Sequence, residues 1–350
     1  MAVLRRAFFS QFPPFADPRY PLLRHILQRN RSATHRRLIW LWWLGVTALL
    51  LLALLFGFGI ATSFGGQPLP GDLNPLDTFY RIAYWPLVMA QLLLRLLALG
   101  LTTGLIAGER QRRTWESLQV TTDGVALTVR THAAAIFYRT WPLLVLIMLA
   151  RLLFIGASLW NFVSFSGNYL DNMISGTVPL GAPTLNPTVA ITLAILCAAA
   201  GMTASILLPL TALSFDAALG LVFSTFARVR WFGAIARSGL LMLRMLATGA
   251  ALLLGALAIF GGQATLFNLW TGSSTPGGGI VTWIGAMIGM AEGDLSLTLL
   301  HQPYVQSLWG DILYGALIGV GLLGYALLQF ALAQVLIGWA SRRASHASNR

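Results

Sequence analysis

TVAITLAILCAAAGMTASILLPLTALSFDAALGLVFSTFA, residues 188–227, is an apolar stretch with a single charged side chain, Asp216. At about 40 residues it is twice what one helix needs to cross a hydrocarbon core of about 30 Å. It reads as two crossings, or as one with a kinked or interfacial part near Pro209, and the choice sets the topology of the whole chain. Five other apolar runs are less ambiguous: Leu38–Ile60, Tyr84–Ala107 around Arg95, Trp141–Leu159 around Arg151, Ser238–Phe260 around Arg244, and Ile312–Ala340.

The arginines decide between the two readings. One crossing over 188–227 gives six spans with both termini on the same side. That side then holds Arg5, Arg6, Arg19, Arg24, Arg29, Arg31, Arg36 and Arg37, followed by Arg110, Arg112, Arg113, Arg130 and Arg139. Arg228, Arg230, Arg237, Arg342, Arg343 and Arg350 join them, so nineteen of the 23 basic residues share one face. The opposite face keeps Arg81 with Asp72, Asp77, Asp171, Glu292, Asp294 and Asp311. Two crossings would put the 228–237 arginines outside. Because basic residues stay on the cytoplasmic side, six spans with cytosolic N- and C-termini are expected, in the plasma (inner) membrane.

Composition agrees. Of 350 residues, 57% are hydrophobic and 10% charged, whereas soluble domains carry about 25% charged residues. The chain is therefore expected to be an all-α integral membrane protein. It divides into a cytosolic tail (1–37), a six-helix transmembrane domain (38–340) and a second tail (341–350). The outer loops, 160–187 and 261–311, are too short for a large folded domain. The second contains the apolar patch Gly279–Met290, too short to cross and suited to a re-entrant or interfacial helix.

Several chemistries drop out. Every basic residue among the 23 is arginine, so no P-loop or Schiff-base lysine exists. With Cys197 the only cysteine, no intrachain disulfide or cysteine-built metal site can form. The five histidines are scattered, and no catalytic constellation or metal site emerges. GVGLLG, residues 319–324, lies inside an apolar run with no strand before it, so its glycines suit close helix packing rather than a dinucleotide. The basic excess is interleaved with spans, which inner-leaflet lipid explains without nucleic acid.

The segment after the second span, GERQRRTWESLQVTTDG (108–124), clusters both charge signs beside the membrane. By itself this pattern also fits a short amphipathic helix lying on lipid. Gly108, Glu109, Arg110, Thr114, Glu116, Leu118 and Thr121, however, resemble the G-E-R-x-x-x-T-x-E-x-L-x-x-T signature of type-2 ABC exporter permeases. Thr122 stands where that family usually has proline. Phe15–Arg37 is similar to the family's amphipathic elbow helix, and Leu219–Ala236 to the small-residue end of its fourth span. The resemblance implies a cytosolic coupling helix at 108–124 that docks on an ATPase subunit. Glu109, Arg110, Thr114, Trp115, Glu116 and Leu118 would make that contact.

Arg95, Arg151, Asp216 and Arg244 fall inside predicted spans. A charge at mid-bilayer costs about 2.5–3.5 kcal/mol on insertion scales, so each should face protein or water. They read either as an anion-attracting pathway or as an internal ion pair of Asp216 with one arginine, the others snorkelling outward.

The expected function is the transmembrane permease subunit of an ATP-driven ABC exporter. The chain itself would bind no cofactor and would not be an enzyme, since ATP and magnesium would sit on a partner ABC ATPase. A second permease copy or a paralogue would complete the pathway, in contact with membrane lipid. The alternatives are a non-transporting membrane scaffold or assembly subunit, and a secondary transporter built on Asp216. The arginine asymmetry makes the topology testable. Cysteines at Ser166 and Ser273 should react with impermeant thiol reagents from outside, and cysteines at Ser32 and Ser345 should not. Outside labelling at Ser345 would show the span count to be wrong by one.

Overall fold

A computed structural model describes residues 21–28, 75–106, 124–164, 187–226, 230–260, 280–297 and 317–346. These residues form seven helices: α1 (Pro21–Gln28), α2 (Pro75–Thr102), α3 (Gly124–Ser164), α4 (Pro187–Phe226), α5 (Arg230–Phe260), α6 (Ile280–Glu292) and α7 (Ile318–His346). Among the described residues there is no strand. The predicted first span, residues 108–123 of the coupling segment and most of both outer loops lie outside them.

Five of the helices, α2, α3, α4, α5 and α7, are long and apolar enough to cross a membrane. Their surfaces are inverted relative to a soluble protein. Leu149 and Leu153 on α3, Leu243 and Leu246 on α5, and Leu327 and Val335 on α7 are exposed, while Arg95, Arg151 and Asp216 are buried. Apolar area this extensive and this exposed fits lipid as the surrounding solvent.

The ambiguous stretch forms one helix. α4 runs unbroken for 40 residues with Pro209 inside it, about 60 Å at 1.5 Å per residue. Its neighbours fix its direction. Gly319 of α7 lies against Cys197 and Gly201, Thr211 bonds Gln329, and Phe226 packs edge-on against Trp339, so α4 and α7 are parallel. α2 is parallel to both, since Arg95 meets Asp216 and the Ile106 N–H donates to the Ser224 hydroxyl at 2.8 Å. α3 runs the other way, with Arg151 reaching Ser205 while Val125 and Val129 pack near Leu221.

One apolar cluster gathers Ile106, Val125, Val129, Leu221, Val222, Ala340 and Ala344 at the same end of the bundle. The exposed Arg130, Arg342 and Arg343 flank that cluster in sequence. Arg237 lies beside Gly100 at the same end. The Arg343 guanidinium sits 3.6 Å from the centroid of the Phe226 ring, a cation–π contact that covers the charge with an aromatic face. One feature differs from the sequence expectation. The third predicted span begins at Trp141, but α3 begins at Gly124 and is 41 residues long. Arg130 and Arg139 therefore stand on a helix and not in a loop. The apolar spacing of 125–140 continues that of the span, and nothing in it breaks the helix. α1 packs Leu23 and Ile26 against Ala135 of this extension, and Arg139 donates to the Ile26 carbonyl at 3.2 Å, satisfying one of the carbonyls left open at a helix end.

α6 is the short apolar patch, and it enters the bundle. Its 13 residues span about 20 Å. It runs antiparallel to α5, because Gly289 meets Gly255 while Gly293 meets Leu252. α6 thus goes in from the end opposite the arginine-rich one and stops partway. Gly289 and Gly255 allow backbone contact: a Cβ on Gly255 would lie 2.5 Å from the Gly289 Cα. Small residues permit this close approach in membrane bundles. In GVGLLG, Gly319 and Gly321 also face neighbours closely, Gly319 against the Cys197 carbonyl and Gly321 against Trp283, whereas Gly324 faces open space.

These contacts give a graded prediction. Gly289→Val should force α6 off α5 and lower thermal stability in detergent by about 1–3 kcal/mol or more, the usual cost of overpacking. Gly249→Ala, on the open face of α5 with nothing within 4 Å, should leave the melting temperature unchanged.

Candidate functional site

Among the described residues, the paired charges collect where α6 ends. Helix α6 stops at Glu292, Gly293 follows, and Asp294 adopts φ 61°. That left-handed conformation turns the chain at a helix C-terminus, and aspartate tolerates it better than most residues. The turn presents the Glu292 and Asp294 carboxylates, together with the last helical carbonyl, to three arginines on three of the long apolar helices.

Arg95 of α2 uses its whole fork. Its Nε donates to Asp216 Oδ2 at 3.0 Å, Nη1 to the Glu292 carbonyl at 2.8 Å, and Nη2 to Glu292 Oε2. One guanidinium therefore ties α4 to α6 and places positive charge at the negative end of the α6 dipole. Arg244 of α5 comes from the other side, with Nε 2.8 Å from Asp216 Oδ1 and Nη2 2.8 Å from Glu292 Oε2. These are charge contacts at ion-pair distance, not aligned hydrogen bonds. Its guanidinium also sits 5.8 Å from the Phe215 ring centroid. Two arginines and two carboxylates thus alternate around a closed quartet.

Arg151 of α3 forms the second centre. It is wholly buried and donates to Asp294 Oδ1, the Ser205 carbonyl and Ser296 Oγ. Tyr84 of α2 donates its hydroxyl to the Asp294 carbonyl at 3.3 Å and packs edge-on against Phe154, one turn along α3 from Arg151. On the α7 side, Tyr325 donates to Glu292 Oε1. Gln329 reaches the same oxygen at 3.4 Å while accepting from Thr211 at 2.8 Å.

Three guanidiniums face three carboxylates, so the cluster is neutral as a whole. Replacing such buried ions with apolar side chains is often neutral or stabilising, whereas removing a single partner is costly. Stability alone therefore gives no reason to keep six charges here.

The sequence brings Arg95, Arg151, Asp216 and Arg244 into the spans, and the structure sorts them. Asp216 pairs with two arginines, Arg95 and Arg244, rather than one. Arg151 does not snorkel outward but pairs with Asp294. Glu292 and Asp294, expected in the second outer loop, lie inside the bundle because α6 carries them there. Three mid-span arginines against one mid-span acid was the available signal, since two more carboxylates had to come from outside the spans. Glu-Gly-Asp directly follows the short apolar patch. Tyr325, Gln329 and Ser205 gave no such signal. Of the coupling residues, Glu109, Arg110, Thr114, Trp115, Glu116 and Leu118 lie outside the described residues. Ser224 serves as a link between α4 and the end of α2.

The pairing pattern predicts which second substitutions rescue a broken pair. Asp216→Ala leaves one positive charge unbalanced and should cost about 3–5 kcal/mol of stability in detergent. Adding Arg244→Met should recover most of it, and adding Arg151→Met should not. The converse holds for Asp294→Ala, which Arg151→Met should rescue and Arg244→Met should not. Equal rescue by either arginine would contradict the two-centre geometry.

No family model, curated protein or solved structure matches this chain. Its own residues give its class: an all-helical chain, among the described residues, with five apolar helices compatible with a multi-pass membrane protein.

Proposed function

We propose that this chain is the permease subunit of an ATP-driven exporter of the type-2 ABC class, working with a separate ATPase subunit. One observation carries the reading. The segment bearing the G-E-R-x-x-x-T-x-E-x-L-x-x-T pattern joins α2 to α3, and its two flanks, Ile106 and Val125, pack in the same cluster as the ends of α4 and α7. A force applied to residues 108–123 would therefore act on four helices at once. The positive-inside rule puts this end in the cytosol, where an ATPase would dock. It also supports six spans, with Leu38–Ile60 as the first and cytosolic termini, in the inner membrane.

The α3 rod supports the mechanism. It begins at the segment's last residue and carries Arg151, the partner of Asp294 on the re-entrant turn. Closure of the ATPase would push on 108–123 and tilt α3, and the tilt would pull on the turn through that ion pair. A second permease copy or a paralogue would face this chain across the pathway. ATP and magnesium would bind the ATPase, and this chain would perform no chemistry of its own.

Co-purification with an ABC ATPase, followed by ATP hydrolysis in lipid with and without this subunit, tests the proposal. Glu109 and Glu116 are seven residues apart, about two helical turns, so a helix here shows both on one face. Trp115 and Leu118 add an apolar ridge. The double variant Glu109→Arg, Glu116→Arg should insert normally but release or uncouple the ATPase. On a lipid-surface helix the added charge would tighten membrane binding and leave ATPase association alone. Unchanged co-purification and unchanged stimulated hydrolysis in the double variant would sink the coupling role and favour a scaffold.

A further inference from the structure

We propose that Arg95, Arg151 and Arg244 form a binding site for the oxyanion head of an acidic amphiphile, a phosphomonoester on an apolar tail, and that Glu292 and Asp294 occupy it as the chain's own stand-ins. As an assignment of exported substrate class this rests on the transport reading. As a statement about binding it does not.

The charge balance of the cluster is divided between two kinds of element. At the level of the cluster, the described spanning helices contribute three arginines and one acid, Asp216. The spans alone are thus positive by two. The balance comes from a segment that does not span: the short helix α6 and its Gly293–Asp294 turn. Here both compensating carboxylates sit on one short element, and an anion of charge two would replace both at once. Forked guanidiniums match the oxygen geometry of phosphate as well as that of carboxylate.

Hydrogen-bonding capacity is also left unused beside Asp294. Arg151 Nε and Ser205 Oγ are buried and, among the described residues, have no hydrogen-bond partner. Ser205 also accepts from Arg151 through its carbonyl, so the two groups are neighbours. Buried polar groups are seldom left unsatisfied. A carboxylate offers two oxygens and a phosphomonoester three terminal ones, so the larger anion can use donors that Asp294 leaves idle.

There is also the slot that α6 fills. Its walls are α5 at Gly255 and α7 at Gly321, where a Cβ would lie 2.9 Å from Trp283 Cη2 and 3.1 Å from Met287 Sδ. With α6 displaced, this slot is apolar, lacks side chains at its narrowest points and opens beside the arginines. It suits an acyl tail, and that favours an amphiphile over free phosphate.

The test removes the stand-ins. The purified full chain, as wild type and as Glu292→Gln with Asp294→Asn, is reconstituted in phosphatidylcholine bilayers with a few per cent phosphatidic acid of the same acyl chains. Lipid retained by the protein is then counted by native mass spectrometry. The double variant should retain at least ten-fold more phosphatidic acid than wild type, and adding Arg151→Met with Arg244→Met should return retention to the wild-type level. Glu292→Gln alone, which disturbs folding less, should shift retention in the same direction by a smaller factor. Equal retention in all variants overturns the proposal, as does a gain that survives loss of the two arginines. Stabilisation by inorganic phosphate with no gain in phosphatidic acid overturns the amphiphile assignment. The assay needs no ATPase, so its failure is distinct from a failure of the coupling reading.

Discussion

Three guanidiniums buried in an apolar bundle impose the constraint from which the rest of this architecture follows. Arginine stays protonated under all ordinary conditions, so charge on Arg95, Arg151 and Arg244 has to be balanced in place. Asp216 balances one. The others require α6 to enter the bundle from the far end and stop at the depth where Glu292 and Asp294 meet the arginines. The left-handed turn at Asp294, the Arg95 bond to the last α6 carbonyl and the links to Tyr325 and Gln329 all serve that placement.

Close backbone packing makes room for it. The short helix α6 adds a sixth body to a bundle of five long apolar helices, and normal side chains would hold it away from its charge partners. Glycine at 255 and 289 brings α5 and α6 into backbone contact, and Gly321 receives Trp283. Gly319 does the same for α7 against α4. In a membrane the hydrophobic effect does not drive helices together, so short-range packing and polar links have to. This chain uses both, with glycines at the crossings and charges at the centre.

The long helices give the bundle mechanical continuity. α3 and α4 each exceed a bilayer's thickness and project past the apolar zone. In α3 the same helix that starts beside the proposed coupling segment carries Arg151 to the charge cluster. Pro142 lies between these points; it removes one backbone hydrogen bond and marks where the rod bends most easily. On the transport reading, motion at one end therefore reaches the re-entrant turn through a single ion pair.

The amino-acid sequence marked where the long apolar helices lie and pointed to lipid as their surroundings. A chain so poor in charge and so rich in leucine and alanine fits lipid as its surroundings, and the arginine pattern favours reading 188–227 as one helix. The structure has one unbroken helix there, α4. The sequence also marked Arg95, Arg151, Asp216 and Arg244 as unable to face hydrocarbon, because that penalty depends only on residue type and depth. It did not identify their partners. Pairing depends on which helix faces meet, and every candidate arginine was equally positive on paper. Only the tertiary structure sent Arg151 to Asp294, gave Asp216 two arginines and drew Glu292 out of a nominal outer loop. The physical reason is range: burial is a property each residue carries along the chain, whereas the ion pairs of Arg95 and Arg151 join groups 121 to 197 positions apart and form only after the glycine crossings set their separation.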